Sequence, residues 1–116
     1  MPKNVQDIIA ETKEGCHCLN PHDAREFYDT TTGATIIDVR EPGEVEKGKL
    51  KQSINIPRGL LELKIAELCP SDDVPILLHC GAGGRASLSA RALQEMGYSN
   101  VHVIDGKFEE IEKAFS

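Results

Sequence analysis

Cys80 is the residue whose surroundings most favour chemistry, because it ends an apolar stretch and opens a loop rich in glycine. Glycine reaches backbone conformations closed to other residues, so the loop can curl with its N–H groups pointing inward to an anion. A helix start and a nearby arginine lower the pKa of a cysteine thiol from roughly 8.5. We therefore expect Cys80 to be a nucleophile rather than a buried, inert thiol. The loop expected to surround it consists of Gly81, Ala82, Gly83, Gly84 and Arg85.

Three further charged residues lie at the ends of predicted strands and could support this loop. Asp38 and Arg40 lie at the end of an apolar strand, where they could form an ion pair within the fold or contact a substrate. Arg58 follows another strand and could recruit an anionic donor, although a lone arginine is more often a solvated surface group. Three lysines could form a basic docking patch, or they could simply belong to a solvated loop. They are Lys47, Lys49 and Lys51.

The remaining cysteines suggest less chemistry. Cys16 and Cys18 flank His17, but this spacing is too tight for a structural zinc site, so we expect no metal. A resolving or sulfur-accepting role for this pair stays open beside incidental placement. We expect Cys69, which precedes a proline, to be structural, and His79 to be a buried histidine rather than a general base.

The elements that must position these residues alternate between strands and helices. Four apolar, β-branched runs predict strands, and between them lie helical patterns, which together imply crossover connections and a mostly parallel sheet. The predicted strands are 35–39, 53–56, 74–79 and 101–104. Apolar spacing predicts a short helix over residues 3–14, ended by Gly15, and Asn20 and Pro21 start a second helix. We expect residues 1–17 to form a helical extension and residues 18–116 to form the main domain.

Composition excludes several classes of protein. The chain has 116 residues and a mass of 12.7 kDa, which suits one domain. Thirteen basic and nineteen acidic residues give a net charge of −6, so nucleic acid is not an expected partner. No apolar stretch approaches the roughly 18 residues of a membrane span, and no secretory signal precedes the first helix, so we expect no membrane partner. We predict a cytoplasmic protein with reduced cysteines.

Four motifs in order resemble the rhodanese family of sulfurtransferases over residues 19–115. They are Ile37-Asp38-Val39-Arg40-Glu41-Pro42, Ile54-Asn55-Ile56-Pro57, the Cys80 loop, and Val103-Ile104-Asp105-Gly106. The resemblance implies a three-layer α/β/α domain with a five-stranded, mostly parallel sheet, whose extra strand is short and at Cys18-Leu19.

The same resemblance implies a mechanism. Cys80 would take a sulfane sulfur from a donor such as thiosulfate, carry it as a persulfide, and pass it to cyanide or a thiol. Backbone N–H groups of the loop would hold the persulfide anion. The expected partners are these small molecules and a sulfur-carrying protein, and no cofactor is needed.

Two other functions compete with sulfur transfer. Cysteine phosphatases and arsenate reductases also place His-Cys before a glycine-containing loop that ends in arginine at a helix start. That signature has five residues between cysteine and arginine, whereas this chain has four before Arg85 and then Ala86. The other alternative is a carrier or binding module that holds sulfur without turnover.

Overall fold

The computed structural model of the chain describes residues 2–116 as a single α/β domain. Five strands and six helices alternate along it. The strands are β1 (His17–Leu19), β2 (Thr35–Asp38), β3 (Ser53–Asn55), β4 (Ile76–His79) and β5 (Val101–Ile104). The helices are α1 (Val5–Glu14), α2 (Pro21–Thr30), α3 (Pro42–Val45), α4 (Leu61–Leu68), α5 (Gly84–Glu95) and α6 (Phe108–Ala114), and a 3₁₀ turn covers Arg58–Leu60.

All five strands are parallel and lie in the order β1-β5-β4-β2-β3. The strand that leads to Cys80, β4, is in the middle of the sheet and is fully buried along its length. Its continuous apolar sequence matches this position, because a central parallel strand is covered on both faces. The register places Asp38 beside His79, so the end of β2 lies next to the start of the Cys80 loop.

Two hydrophobic clusters cover the two faces of the sheet and make the domain three-layered. On one face, α4 and α5 pack through Leu61, Ile65 and Leu93 against the sheet. On the other face, α2 and α6 contribute residues that include Ala24 and Ile111. The predicted three-layer α/β/α architecture with a five-stranded sheet is confirmed.

The N-terminal segment is joined to the domain rather than separate from it. Asn4 caps α1 by accepting a hydrogen bond from the Asp7 amide, and α1 packs against α5. The short strand predicted at Cys18-Leu19 is present and begins at His17, within the predicted extension 1–17. Met1, also part of that extension, lies outside the described residues.

Other elements differ in extent from their predicted bounds. The run predicted as strand over 74–79 pairs only from Ile76, because Pro75 precedes the ladder and proline lacks the N–H that pairing needs. The sequence patterns did not predict α3 and α6, which are only four and seven residues long. No helix within residues 2–116 is long and apolar enough to span a bilayer.

Candidate functional site at the Cys80 loop

The loop after β4 directs backbone donors at the Cys80 sulfur. The Gly83 amide nitrogen lies 3.1 Å from Sγ, and the Ala86 amide nitrogen lies 3.4 Å from it. The turn depends on Gly83, whose φ of 95° is in the left-handed region that favours glycine. A twelve-residue helix, α5, starts at the next residue, so its unpaired N–H groups and its positive dipole end face the sulfur. This arrangement stabilises negative charge on or beside Sγ.

Arg85 lies in the first turn of α5 and is paired with a carboxylate instead of being free at the rim. Its guanidinium donates to both oxygens of Glu44, at 2.6 and 3.0 Å. Hydrogen bonding from Arg85 lowers the pKa of Glu44 to about 2, and the same contact raises the pKa of Arg85. Gly81 makes room for this side chain, since a Cβ there would lie 3.2 Å from Arg85 Nη2. Both charged side chains keep about two fifths of their surface exposed.

A second ion pair, between Asp38 and Arg40, lies beneath the loop and is buried. Arg40 donates from Nε and Nη2 to the Asp38 carboxylate, with a shortest distance of 2.8 Å, and the Arg40 amide donates to Oδ1 of the same carboxylate. Arg40 Nη2 also donates to the Gly48 carbonyl oxygen at 2.8 Å. Asn55 donates to the carbonyl oxygens of Asp38 and Arg40. These contacts tie β2, β3 and the loop around Gly48 into one unit.

Phe108 connects this buried pair to the Cys80 loop. The Arg40 guanidinium lies over the Phe108 ring, 3.9 Å from its centroid, which is a cation–π contact. The Phe108 amide donates to the Gly81 carbonyl oxygen at 3.0 Å, so the start of α6 holds the residue after Cys80. His79 also stacks against Phe108, with its ring centroid 6.0 Å from that of the phenylalanine.

His79 is completely buried, as predicted. Neither ring nitrogen has a hydrogen-bond partner within residues 2–116, and burial lowers the pKa of the imidazole. The ring is therefore neutral near pH 7. Because side chains alternate along a strand, His79 and Cys80 point to opposite faces of the sheet. A role as the base for Cys80 does not fit this placement.

A cavity of about 410 Å³ opens at Gly81, the residue that follows Cys80. Cys80 itself is buried, with 1% of its surface exposed, and is not among the lining residues, so the thiol is less accessible than the sequence suggested. Two cations and three carboxylates line it, and the Arg40 and Glu44 charges among them are already paired. The mouth of the site therefore carries nearly balanced charge. The positive potential near Cys80 comes mainly from the backbone N–H groups of the loop. The lining residues are Arg40, Glu44, Lys47, Gly48, Gly81, Phe108, Glu109 and Glu112.

The remaining predicted residues lie away from this cavity. Arg58 is paired with Glu62 at 2.7 Å, one helical turn along the chain. Cys69 is buried, in keeping with its expected structural place, and burial raises the pKa of its thiol. Burial also raises the pKa of the thiols of Cys16 and Cys18, which are partly covered near α5 and the sheet edge.

No group of three metal-binding side chains within residues 2–116 includes a cysteine. The one such group in the described part of the chain is on the exposed surface of α2 and consists of His22, Asp23 and Glu26. Exposed clusters of this kind are common without a metal, and this group is remote in sequence from the Cys80 loop.

Sequence reasoning missed three residues that shape the site. Ala86 supplies a backbone amide that points at Cys80 Sγ, and its position in the first turn of the predicted helix could have indicated this. Glu44 and Phe108 had no such signal, because each begins or occupies a short helix far from Cys80 in the sequence. Their contacts with Arg85 and Arg40 exist only once the strand ends have been brought together.

Comparison with known proteins places this geometry in a family. Residues 20–114 match the Rhodanese-like domain family. YrkF of Bacillus subtilis, named provisionally as a sulfur carrier protein, is 33% identical over 83 residues, which are 71% of this chain and 44% of YrkF. The chain thus spans less than half the length of that relative, and 64% of two other curated relatives that it matches.

Solved structures share the fold of this chain. A protein of unknown function from Rhodopseudomonas palustris, described as a possible tyrosine phosphatase, has a TM-score of 0.87 and 26% identity, covering 98% of this chain and 92% of that protein. Thiosulfate sulfurtransferase from Pseudomonas aeruginosa has a TM-score of 0.74 and 28% identity, covering 84% of this chain and 19% of that enzyme.

Proposed function

Because this chain belongs to the rhodanese-like domain family, we propose that it transfers sulfane sulfur through a persulfide formed on Cys80. The observation that carries the proposal is the pair of amide donors, Gly83 and Ala86, aimed at Sγ. Such donors stabilise an anion without reorganising during the reaction. They favour the thiolate before the transfer and the persulfide anion after it.

The reaction would consist of two displacements. The Cys80 thiolate attacks the sulfane sulfur of thiosulfate, a new S–S bond forms, and sulfite leaves with the electron pair of the broken S–S bond. Cyanide or a thiolate then attacks the outer sulfur of the persulfide, and Cys80 leaves as the thiolate. The products are thiocyanate or the persulfide of the acceptor thiol. No external oxidant or reductant is required, since each step exchanges one sulfur between nucleophiles.

The cavity beside Gly81 is the proposed entry for donor and acceptor. Its nearly balanced charge does not select strongly for a dianion, so a thiol persulfide, free or on a carrier protein, is a donor class as suitable as thiosulfate. A carrier role with slow turnover belongs to the same chemistry, in line with the naming of YrkF. A reducing cytoplasmic compartment, as predicted, would keep the nucleophile a free thiol.

Phosphatase activity is the second candidate, because the structural relative from Rhodopseudomonas palustris is described as a possible tyrosine phosphatase. Two features favour sulfur transfer over it. Four residues rather than five separate Cys80 from Arg85, and the Arg85 guanidinium is paired with Glu44, although a phosphoryl group would need it. A terminal persulfide sulfur is also a smaller anion to hold than three phosphoryl oxygens.

Mass spectrometry of the intact protein after incubation with thiosulfate or a thiol persulfide tests the proposal. We expect the mass of one sulfur atom to be added, to be mapped to Cys80, and to be removed by cyanide or dithiothreitol. Cys80→Ser should gain no sulfur, whereas the matched variant Cys69→Ser, at another buried cysteine, should load normally. Loading on a cysteine other than Cys80, or Cys80-dependent hydrolysis of an aryl phosphate with no sulfur loading, would refute sulfur transfer.

A further inference from the structure

We propose that helix α1 holds the Cys80 loop in its reactive geometry, with Lys13, its ion-pair partner Asp105, and Ile9 as positioning residues. The inference rests on the proposed role of Cys80. It gives a role to α1, which precedes residues 20–114, the part of the chain that matches the family.

The first contact is an ion pair laid against the turn of the loop. Lys13 Nζ donates to Asp105 Oδ1 at 3.1 Å, which joins α1 to the residue that follows β5. The same Asp105 oxygen lies 2.6 Å from the position that a Cβ on Gly83 would occupy, and Lys13 Nζ lies 3.5 Å from it. The pair therefore covers the outer side of the Gly83 backbone, whose amide points inward to Cys80 Sγ.

The second contact is apolar and covers the next residue of the loop. Ile9 Cδ1 lies 3.0 Å from the position of a Cβ on Gly84, so the isoleucine packs directly on the start of α5. Together with the ion pair, this side chain leaves the Gly83-Gly84 turn little room to move outward. Glycine at both positions is what permits such a close approach.

Further contacts anchor the end of α1 along α5. Gln94 donates from Nε2 to the Gly15 carbonyl oxygen at 3.3 Å, and the Cys16 thiol lies 3.8 Å from the Ser87 carbonyl oxygen. Thr12, in the last turns of α1, is buried. Helix α1 is thus attached both at the turn and at the far end of α5, and it acts as a brace on the loop.

The brace matters because of the distances at the sulfur. The Gly83 and Ala86 amides lie 3.1 and 3.4 Å from Sγ, and an outward shift of the turn would lengthen both contacts. The Lys13–Asp105 pair is about one third exposed, so it adds little to global stability. Losing it should therefore reduce the reactivity of Cys80 more than it reduces folding.

The experiment compares variants with the wild type by the rate at which iodoacetamide alkylates Cys80 at one neutral pH. Mass spectrometry of the Cys80 peptide monitors the reaction, so that the other thiols do not interfere. Lys13→Met should slow alkylation about fivefold, which is about 1 kcal/mol. Lys13→Arg keeps the charge and should restore the rate to within about twofold. The matched control is Lys3→Met, since Lys3 lies just before α1 and pairs with the exposed Glu11 of that helix, and it should react like the wild type.

A second pair of variants tests the apolar contact. Ile9→Ala should slow Cys80 alkylation about threefold, less than the loss of the ion pair. Val5→Ala, at an exposed position of the same helix, should leave the rate unchanged. Thermal unfolding of each variant separates reactivity from stability, and Asp105→Asn replaces Lys13→Met if the latter does not fold.

Equal alkylation rates for wild type and Lys13→Met would overturn the inference. So would an equal loss in Lys3→Met, no recovery in Lys13→Arg, or a loss of folding in both Lys13→Met and Asp105→Asn, since each would indicate a structural role alone. Alkylation does not require sulfur transfer. If the wild type accepts no sulfur from any donor, the proposed function fails while this comparison still decides the role of α1.

Discussion

Two of the ion pairs around the Cys80 loop, Asp38–Arg40 and Glu44–Arg85, differ in their exposure. The side chains of Asp38 and Arg40 are 0% and 5% exposed. Besides its ion pair with Asp38, Arg40 donates a hydrogen bond to the Gly48 carbonyl oxygen and lies over the Phe108 ring. Glu44 and Arg85 are 41% and 39% exposed and are held mainly by each other. One pair lies under the loop and the other at its rim.

Because of this difference in exposure, we expect the two ion pairs to have different roles. Removing one partner of a buried pair leaves an uncompensated charge in the interior, which is strongly unfavourable. An exposed pair is screened by water and contributes about 0–1 kcal/mol. We infer that the Asp38–Arg40 pair holds the strand ends in place, whereas the Glu44–Arg85 pair sets the charge that an incoming donor meets.

The largest expected effect comes from breaking the buried pair. Arg40→Met should lower the free energy of unfolding by about 3–5 kcal/mol, because Asp38 would remain buried without a cation. Urea denaturation followed by circular dichroism measures this change. The matched control is Arg91→Met, which removes an arginine from an exposed pair with Glu95 and should cost less than about 0.5 kcal/mol. Similar losses for the two variants would remove the distinction between the pairs.

A smaller effect is the dependence of stability on acidic pH, which involves His79, a residue next to the buried pair. Burial lowers the pKa of His79 in the folded state, so below about pH 6.5 the unfolded chain binds a proton that the folded chain does not. Stability therefore falls as the pH falls, by up to about 1.4 kcal/mol per pH unit from this residue. His79→Leu should lose less stability than the wild type between about pH 7 and pH 5.

Denaturant unfolding at several pH values measures this difference. His22→Leu, at an exposed histidine, serves as the control and should follow the wild-type curve. Parallel pH curves for wild type and His79→Leu would mean that His79 is protonated to the same extent in both states, against the direction argued from its burial.

At the rim, the expected effect is on the donor. Glu44→Gln removes the carboxylate that occupies Arg85 and should lower the KM for thiosulfate about threefold, or about 0.65 kcal/mol, with little change in KM for an uncharged thiol persulfide. Steady-state kinetics with each donor measures both values. Glu109→Gln, another carboxylate lining the cavity, tests whether the effect is specific to the partner of Arg85. An equal fall for the two donors would mean that charge at the rim does not select the donor.

The smallest effect is that of the rim pair on stability. The pKa of Glu44 is lowered to about 2, so its stabilising contribution is present above about pH 4.5 and is lost as the pH falls toward 2. Because the pair is exposed, Glu44→Gln should cost less than about 1 kcal/mol at neutral pH, and the difference from wild type should shrink in acid. Thermal unfolding at neutral pH and near pH 3 measures it. A loss as large as that of Arg40→Met would contradict the assignment of the two pairs.

The Cys80 loop and the sheet that carries it could be predicted from a few short stretches of sequence. The apolar runs at β2, β4 and β5 are local patterns, and Cys80 with its glycines is a continuous motif, so neighbouring residues in the sequence carry the whole signal. The helix that supplies the amide of Ala86 is equally local. The edge strand β1 was predicted through a family resemblance, because three residues are too few for a periodic pattern.

The sequence by itself determined the glycine-rich loop around Cys80 and the parallel α/β scheme, since each depends on residues within one or two turns or strands of each other. Only the tertiary structure decided which charge meets which. Arg85 pairs with Glu44, forty-one positions away, and Lys13 reaches Asp105, ninety-two positions away, because the crossovers bring these elements to one end of the sheet. No local sequence pattern encodes such pairs. Two side chains distant in sequence meet only when the strands and helices between them have packed together.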